Sequence, residues 1–182
     1  WVPGYKAEAV YWDSQRDIHL LGRTGGSSSR ANDVAVTDSG FIIAGWDGLL
    51  NGPGRRAFYW DPTPHYMGGY DSSYPDGQCE GLNSDGSKIA GGSTGVPFIY
   101  SLGTGMEWVT TNYLSSASYA KDISDNDIIV GYVSIGMGNF NAFIKRPEWS
   151  DIMLLKDYMI DSLGITEVSD WLASFANSIS AD

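Results

Sequence analysis

One short strand, written four times, decides the fold of this chain: Ala9-Val-Tyr-Trp-Asp13, Ala57-Phe-Tyr-Trp-Asp61, Pro97-Phe-Ile-Tyr-Ser101 and Ala142-Phe-Ile-Lys-Arg146. The copies follow one another at intervals of 48, 40 and 45 residues. A second marker keeps step with them, a turn and an aliphatic strand that closes on Gly: Asp38-Ser-Gly-Phe-Ile-Ile-Ala-Gly45, Ser84-Asp-Gly-Ser-Lys-Ile-Ala-Gly91 and Asp125-Asn-Asp-Ile-Ile-Val-Gly131. Two markers in phase over three periods define an internal repeat, and a repeat of this length decides architecture before any local reading does.

Between the markers lie two more β-like runs. One follows the aromatic strand, as Ile18-His-Leu-Leu-Gly22, Tyr66-Met-Gly-Gly69 and Met106-Glu-Trp-Val-Thr110. The other precedes the turn and reads small-x-x-aliphatic: Cys79 to Leu82, Ala120 to Ile123 and Ala176 to Ile179. Each period therefore holds four short strands rich in Val, Ile, Tyr, Phe and Trp, separated by Gly, Ser, Asp and Asn turns. Strands joined by such short links pair antiparallel, and one small sheet cannot bury both its faces, so neighbouring units must stack. The expected fold is all-β and β-propeller-like, with about four four-stranded antiparallel blades. As one repeat domain over residues 1–182, units 1 to 3 span 8–46, 56–92 and 96–133. Unit 4 spans 141–182 and takes its last strand from residues 1–5, because Trp1-Val-Pro-Gly4-Tyr5 aligns with Ile129-Val-Gly131-Tyr132. Pairing the two ends would remove exposed sheet edges. The other reading is a stretch of four repeats from a longer array. Unit 4 departs from the pattern: Ile152, Leu155, Met159 and Leu163 fall at helical spacing, with Ser150 or Asp151 to cap the start and Gly164 the end. They predict a helical insertion over 151–163.

Composition narrows the function classes. With 11 Lys+Arg against 22 Asp+Glu, the 182-residue chain carries a net charge of −11, which opposes binding to a phosphate backbone and excludes a nucleic-acid partner. A hydrophobic share of 42% is that of a folded domain, and no apolar run is long enough for membrane insertion. A single Cys makes neither an internal disulfide nor a Cys-based zinc site. The start at Trp1 reads as a processed or trimmed chain without a signal peptide.

Around Leu21-Gly-Arg-Thr-Gly-Gly-Ser-Ser-Ser-Arg-Ala31, flanked by the first copies of both markers, the chain resembles the HAF repeats of bacterial extracellular and cell-surface proteins. Ala57 to Asp61 and Leu82-Asn83-Ser-Asp-Gly86 carry the next copy, while the third has lost its Trp-Asp and its Gly-Gly. The resemblance extends over essentially the whole chain. It implies a propeller-like fold and a secreted or surface location. It implies no established activity and supplies no catalytic residues.

A repeat carries its own control: residues that recur at one position belong to the blade, and polar residues that occur once are freer to serve function. Trp12 and Trp60 with Asp13 and Asp61 recur, and read as packing plus a turn cap. Cys79 stands where Ala120 and Ala176 stand, and reads as a small buried residue. The glycines at 22, 25 and 26 lack the Lys-Ser/Thr and helix of a phosphate loop. His19 and His65 share a register; each could do acid–base work beside a carboxylate or simply line a blade. Asp122, Asp125 and Asp127 crowd one turn, and Asp71 and Asp76 another. Calcium wants such oxygens, but the EF-hand spacing is absent and Asp is a common turn former, so calcium is the one cofactor candidate and no other cofactor is implied. The features that occur once concentrate in two loops, Trp46-Asp-Gly-Leu-Leu-Asn-Gly-Pro-Gly-Arg-Arg56 and Ser134-Ile-Gly-Met-Gly-Asn-Phe-Asn141. If the blades are equivalent, both emerge on one face and place Trp46, Arg55, Arg56, Asn139 and Asn141 there, a mix suited to sugar hydroxyls or acidic groups.

These observations read as a secreted or surface-displayed, non-catalytic module that binds carbohydrate or a surface protein through loops on one face. Two alternatives stand beside it. One is a glycan-active hydrolase or lyase with carboxylates meeting from different blades. The other is a structural spacer within a longer adhesin or autotransporter passenger. A closed ring predicts a monomer, an open one a dimer.

Overall fold

The computed structural model describes residues 7–23, 28–49, 54–69, 76–109, 117–136 and 138–181. Among the described residues there are four antiparallel sheets. The first has two strands, β1 (Val10–Trp12) and β2 (Ile18–Leu20). Three four-stranded meanders follow. Blade I holds β3 (Ser29–Thr37), β4 (Gly40–Gly48), β5 (Arg55–Trp60) and β6 (Pro64–Tyr66). Blade II holds β7 (Gly77–Leu82), β8 (Lys88–Ser93), β9 (Val96–Ser101) and β10 (Gly105–Trp108). Blade III holds β11 (Tyr119–Ile123), β12 (Ile129–Ser134), β13 (Phe140–Lys145) and β14 (Met153–Leu154). This is a β-propeller arrangement, with the first strands innermost.

The closing glycine of the repeat has a steric cause. In each blade the first strand bulges, between Ala31 and Asp33, Cys79 and Gly81, and Ala120 and Asp122. Opposite each bulge sit Gly45, Gly91 and Gly131, where a Cβ would fall well inside contact distance of the carbonyl oxygens of Arg30, Gln78 and Tyr119. The core lies between blades rather than within them. Phe58 and Trp60 pack with Ala9, Leu21 and Ile43; Phe98 and Ile89 with Ala57, Cys79 and Leu82; Phe143 and Ile129 with Ala90, Ala120 and Ile123. Among the described residues no helix is long and apolar enough to cross a membrane.

Two expectations are corrected. The sheets run half a period out of phase with the units 8–46, 56–92 and 96–133: each begins with the small-x-x-aliphatic strand and takes the aromatic strand third. A repeat has no origin in sequence. The sheet boundary falls instead between β6 and β7 and between β10 and β11. The helix over 151–163 is also shorter than its spacing suggests. Met153 and Leu154 pair with Ile144 and Phe143 as the outer strand, so helical geometry begins at Leu155, with a turn at Leu155–Asp157 passing into a π-turn at Tyr158–Ser162. A helix of about 12 residues is marginal by itself, and the open edge of β13 takes its first turn. Gly164, at φ +68°, ends the helical segment as expected. The proposed closing strand, residues 1–5, lies outside the described residues. Its expected neighbour, Ala176 to Ile179, runs along β11 without joining a ladder.

Candidate functional site

The first strands place one polar row along the axis. Asn32 and Asp33, Glu80, and Lys121 and Asp122 line a cavity of about 350 Å³ with Ser178 of the C-terminal segment. Two of the carboxylates act as clamps between successive units. Asp33 accepts the N–H of Leu82 at 2.8 Å across the gap to blade II, and that of its neighbour Val34 at 2.8 Å. Asp122 does the same two blades later, accepting the N–H of Ile179 at 2.9 Å, the Ser178 hydroxyl at 3.0 Å and the N–H of its own neighbour Ile123 at 2.9 Å. Asn32 donates to the Cys79 carbonyl at 2.6 Å, and Lys121 Nζ lies 2.6 Å from Glu80.

Toward the loop end this row meets an aromatic one. Gln78, on the same face of β7 as Glu80, donates to it and accepts from Arg55 Nη1 at 2.6 Å. The Arg55 guanidinium lies 4.6 Å over the Trp46 ring, and its backbone N–H donates to Asp76 at 2.8 Å. Beside them Tyr119 and Tyr132 stand 5.9 Å apart, and Tyr132 meets Phe140 and Phe175 edge-on at 5.4 and 4.9 Å. Burial, then the negative charge of Asp76, Tyr132 and Glu80, pushes the Tyr119 hydroxyl up to about 12, with Arg55 pulling the other way. Gln78, bonded to both Arg55 and Glu80, joins the axial row to the cluster around Trp46.

Of the residues singled out from sequence, Trp46 and Arg55 belong to this site. Arg56 does not. Successive strand residues point to opposite faces, so Arg56 turns the other way, its Nη2 3.5 Å from buried Asp47 and its guanidinium 5.4 and 5.6 Å from the Phe58 and Tyr66 rings. The expected arginine pair is thus divided between two blade faces. Asn141 lies on β13 opposite Val133 and next to Phe140, while Asn139 closes the β12–β13 turn through its backbone. His19 and His65 sit on the outermost strands, hydrogen-bonded to Asp13 at 2.7 Å and Asp61 at 2.5 Å and stacked on Tyr11 and Tyr59. Their shared environment is part of the blade pattern.

The three calcium candidates are dispersed. Asp122 clamps the C-terminal segment; Asp125 accepts the Ser84 N–H and hydroxyl at 2.8 and 2.7 Å; Asp127 pairs with Lys88. Among the described residues no group of three His, Cys, Asp or Glu is placed to hold a metal ion. Cys79 is fully buried beside Met67, and burial pushes its thiol above the ordinary value. Sequence reasoning missed Gln78, Glu80, Tyr119, Lys121 and Phe175. The signal was in the repeat: all five flank the small residue of the first strand, positions whose neighbours keep one pattern while their own chemistry changes from blade to blade.

A scan against protein-family models and a search of curated proteins give no match. Solved structures do. The fold is similar to that of TolB from Acinetobacter baumannii, with a TM-score of 0.53 and 17% identity over 78% of this chain and 35% of that one. It is similar also to an Agrobacterium tumefaciens protein assigned as TolB, with a TM-score of 0.53 and 13% identity over 81% of this chain and 61% of that one. The chain spans less than two thirds of either. At these identities the likeness is one of propeller fold.

Proposed function

We propose that the chain is a non-catalytic propeller module, secreted or displayed at a bacterial surface, that binds carbohydrate at the loop end of its blades. The observation that carries this reading is the side-by-side placement of the Arg55–Gln78–Glu80–Lys121 row and the aromatic row of Tyr119, Tyr132, Phe140 and Phe175. Sugars ask for that pairing, since rings cover their C–H faces while amides and charged groups meet their hydroxyls. The resemblance to HAF repeats supports the surface location. The non-catalytic part rests on how the axial carboxylates are used: Asp33 and Asp122 already accept two or more hydrogen bonds each, and Glu80 is paired with Lys121.

A thermal-shift titration with a panel of soluble polysaccharides tests the reading. One glycan class should raise Tm by mass action in the parent chain and fail to do so in Arg55→Ala and Tyr132→Ala. A panel that leaves Tm unmoved would remove the carbohydrate ligand. A shift kept in both variants would move the site elsewhere on the molecule. Released sugar products during the titration would favour the hydrolase or lyase reading.

A further inference from the structure

Two arginines flank Trp46, and sequence reasoning singled out one of them. Arg30 on β3 lies directly opposite Trp46 on β4, so their side chains share a face. Arg55 on β5 shares it too, because Trp46 lies opposite Ala57 and residues two apart on a strand point the same way. That face looks toward blade II: Ala57 packs with Cys79, and Gln78 accepts from Arg55 Nη1 at 2.6 Å. Neither arginine belongs to the blade pattern. The counterparts of Arg30 in the repeat are Gln78 and Tyr119, and those of Arg55 are Gly95 and Phe140.

These two differ from the cations around them. Lys121 is paired with Glu80 at 2.6 Å, Arg56 with Asp47 at 3.5 Å and Arg23 with Glu8 at 3.3 Å. Both Arg30 and Arg55 are exposed, and among the described residues neither makes an ion pair, although acidic residues outnumber basic ones 22 to 11. A neutral amide, Gln78, stands between Arg55 and Glu80 and is bonded to both. It holds the guanidinium 4.6 Å over the Trp46 ring without neutralising it. Tyr119 adds a second ring. It lies over Gly92, the register partner of Gln78, where blades I and III have Trp46 and Tyr132.

We propose that Arg30 and Arg55 bind the carboxylates of an acidic glycan, one built of uronic-acid units, whose rings lie beside Trp46 and Tyr119. This rests on the carbohydrate reading above and names its ligand class. A guanidinium meets a carboxylate through two parallel N–H bonds, and with Nη1 given to Gln78, Arg55 still offers the Nε–Nη2 fork. Two arginines on one face answer a charge that repeats along a polymer, which a uronic-acid chain carries and a neutral glycan does not. The chain's net charge of −11 acts through a field that physiological salt screens beyond about 8 Å, whereas these contacts are made at hydrogen-bond distance.

Calorimetric titration of the full chain tests this, with a uronic-acid hexamer and with the same hexamer after reduction of its carboxyls to alcohols. The acid form should bind at least about tenfold tighter, the worth of one charge-assisted contact. Arg30→Gln alters an exposed side chain, so it should melt like the parent and lose most of that preference. Equal affinity for the two forms would overturn the proposal and leave the carbohydrate reading standing. A preference that survives in Arg30→Gln would overturn it by placing the carboxylates elsewhere, and tighter binding of a sulfated hexamer would overturn the choice of carboxylate. Binding of neither form would overturn it as well, and the polysaccharide panel then decides separately whether the carbohydrate reading falls with it.

Discussion

Gly131 shows how a single residue carries the repeat. Its Cα faces the Tyr119 carbonyl across a bulge, so any side chain forces one backbone away from the other. Gly131→Ala should cost about 2–4 kcal/mol in urea unfolding, the range of a steric insertion into a packed interior. Titration acts at the same scale. The His19 hydrogen bond, helped by the backbone N–H groups of Asp17 and Gln15, holds Asp13 below its usual 3.8. A lowered native value means the stability Asp13 contributes is present above about pH 4 and is lost as the pH falls through that lower value. Melting followed against pH should therefore show a flatter acid limb in Asp13→Asn. Tyr119 works in the opposite direction. Its value near 12 keeps it neutral in the fold while the unfolded phenol ionises from about pH 10, so stability falls as pH rises from 10 toward 12. Tyr119→Phe should lessen that alkaline loss. The closing glycine was legible from sequence because it recurs; the Tyr119 environment was not, because Asp76, Glu80 and Arg55 reach it from other strands.

At the scale of elements, the blades are joined by a device written twice, the carboxylate one residue before the aliphatic that ends the first strand's motif. Asp33 reaches from blade I to Leu82, and Asp122 from blade III to Ile179. Blade II has Gly81 there, with Asp122 and the Lys121 carbonyl so close that no side chain fits. Asp122→Ala removes the bonds that hold Ser178 and Ile179, a local loss of about 1–3 kcal/mol. Hydrogen exchange should then speed up at Ile179 while the amides of β8 and β9 keep their protection. The helical segment makes the converse point. Apolar spacing over Ile152 to Leu163 is helical, yet Met153 and Leu154 become a strand because β13 offers a ladder at that place. Local periodicity ranks conformations of an isolated segment; a neighbouring sheet edge changes the ranking.

For the whole molecule, stability resides in the interfaces between blades. Phe98 is fully buried where blades I and II meet, and Phe98→Ala should cost about 3–5 kcal/mol in denaturant unfolding. Because Asp122, Asp125 and Asp127 each face a different protein donor, added calcium or EDTA should leave Tm unchanged; a calcium-dependent rise would restore a metal to that turn. The amino-acid sequence by itself determined the repeat, the all-β class, the stacking of small sheets and the positions that must be small or Gly. Those are properties of a strand and its nearest neighbours, and every period states them again. Tertiary structure alone decided where one sheet stops and the next begins, that Arg55 and Arg56 part company, and that Gln78, Glu80 and Lys121 meet Arg55 in one polar row. Those outcomes depend on side chains from different blades meeting at one axis, and the distances between them are set by packing rather than by spacing along the chain.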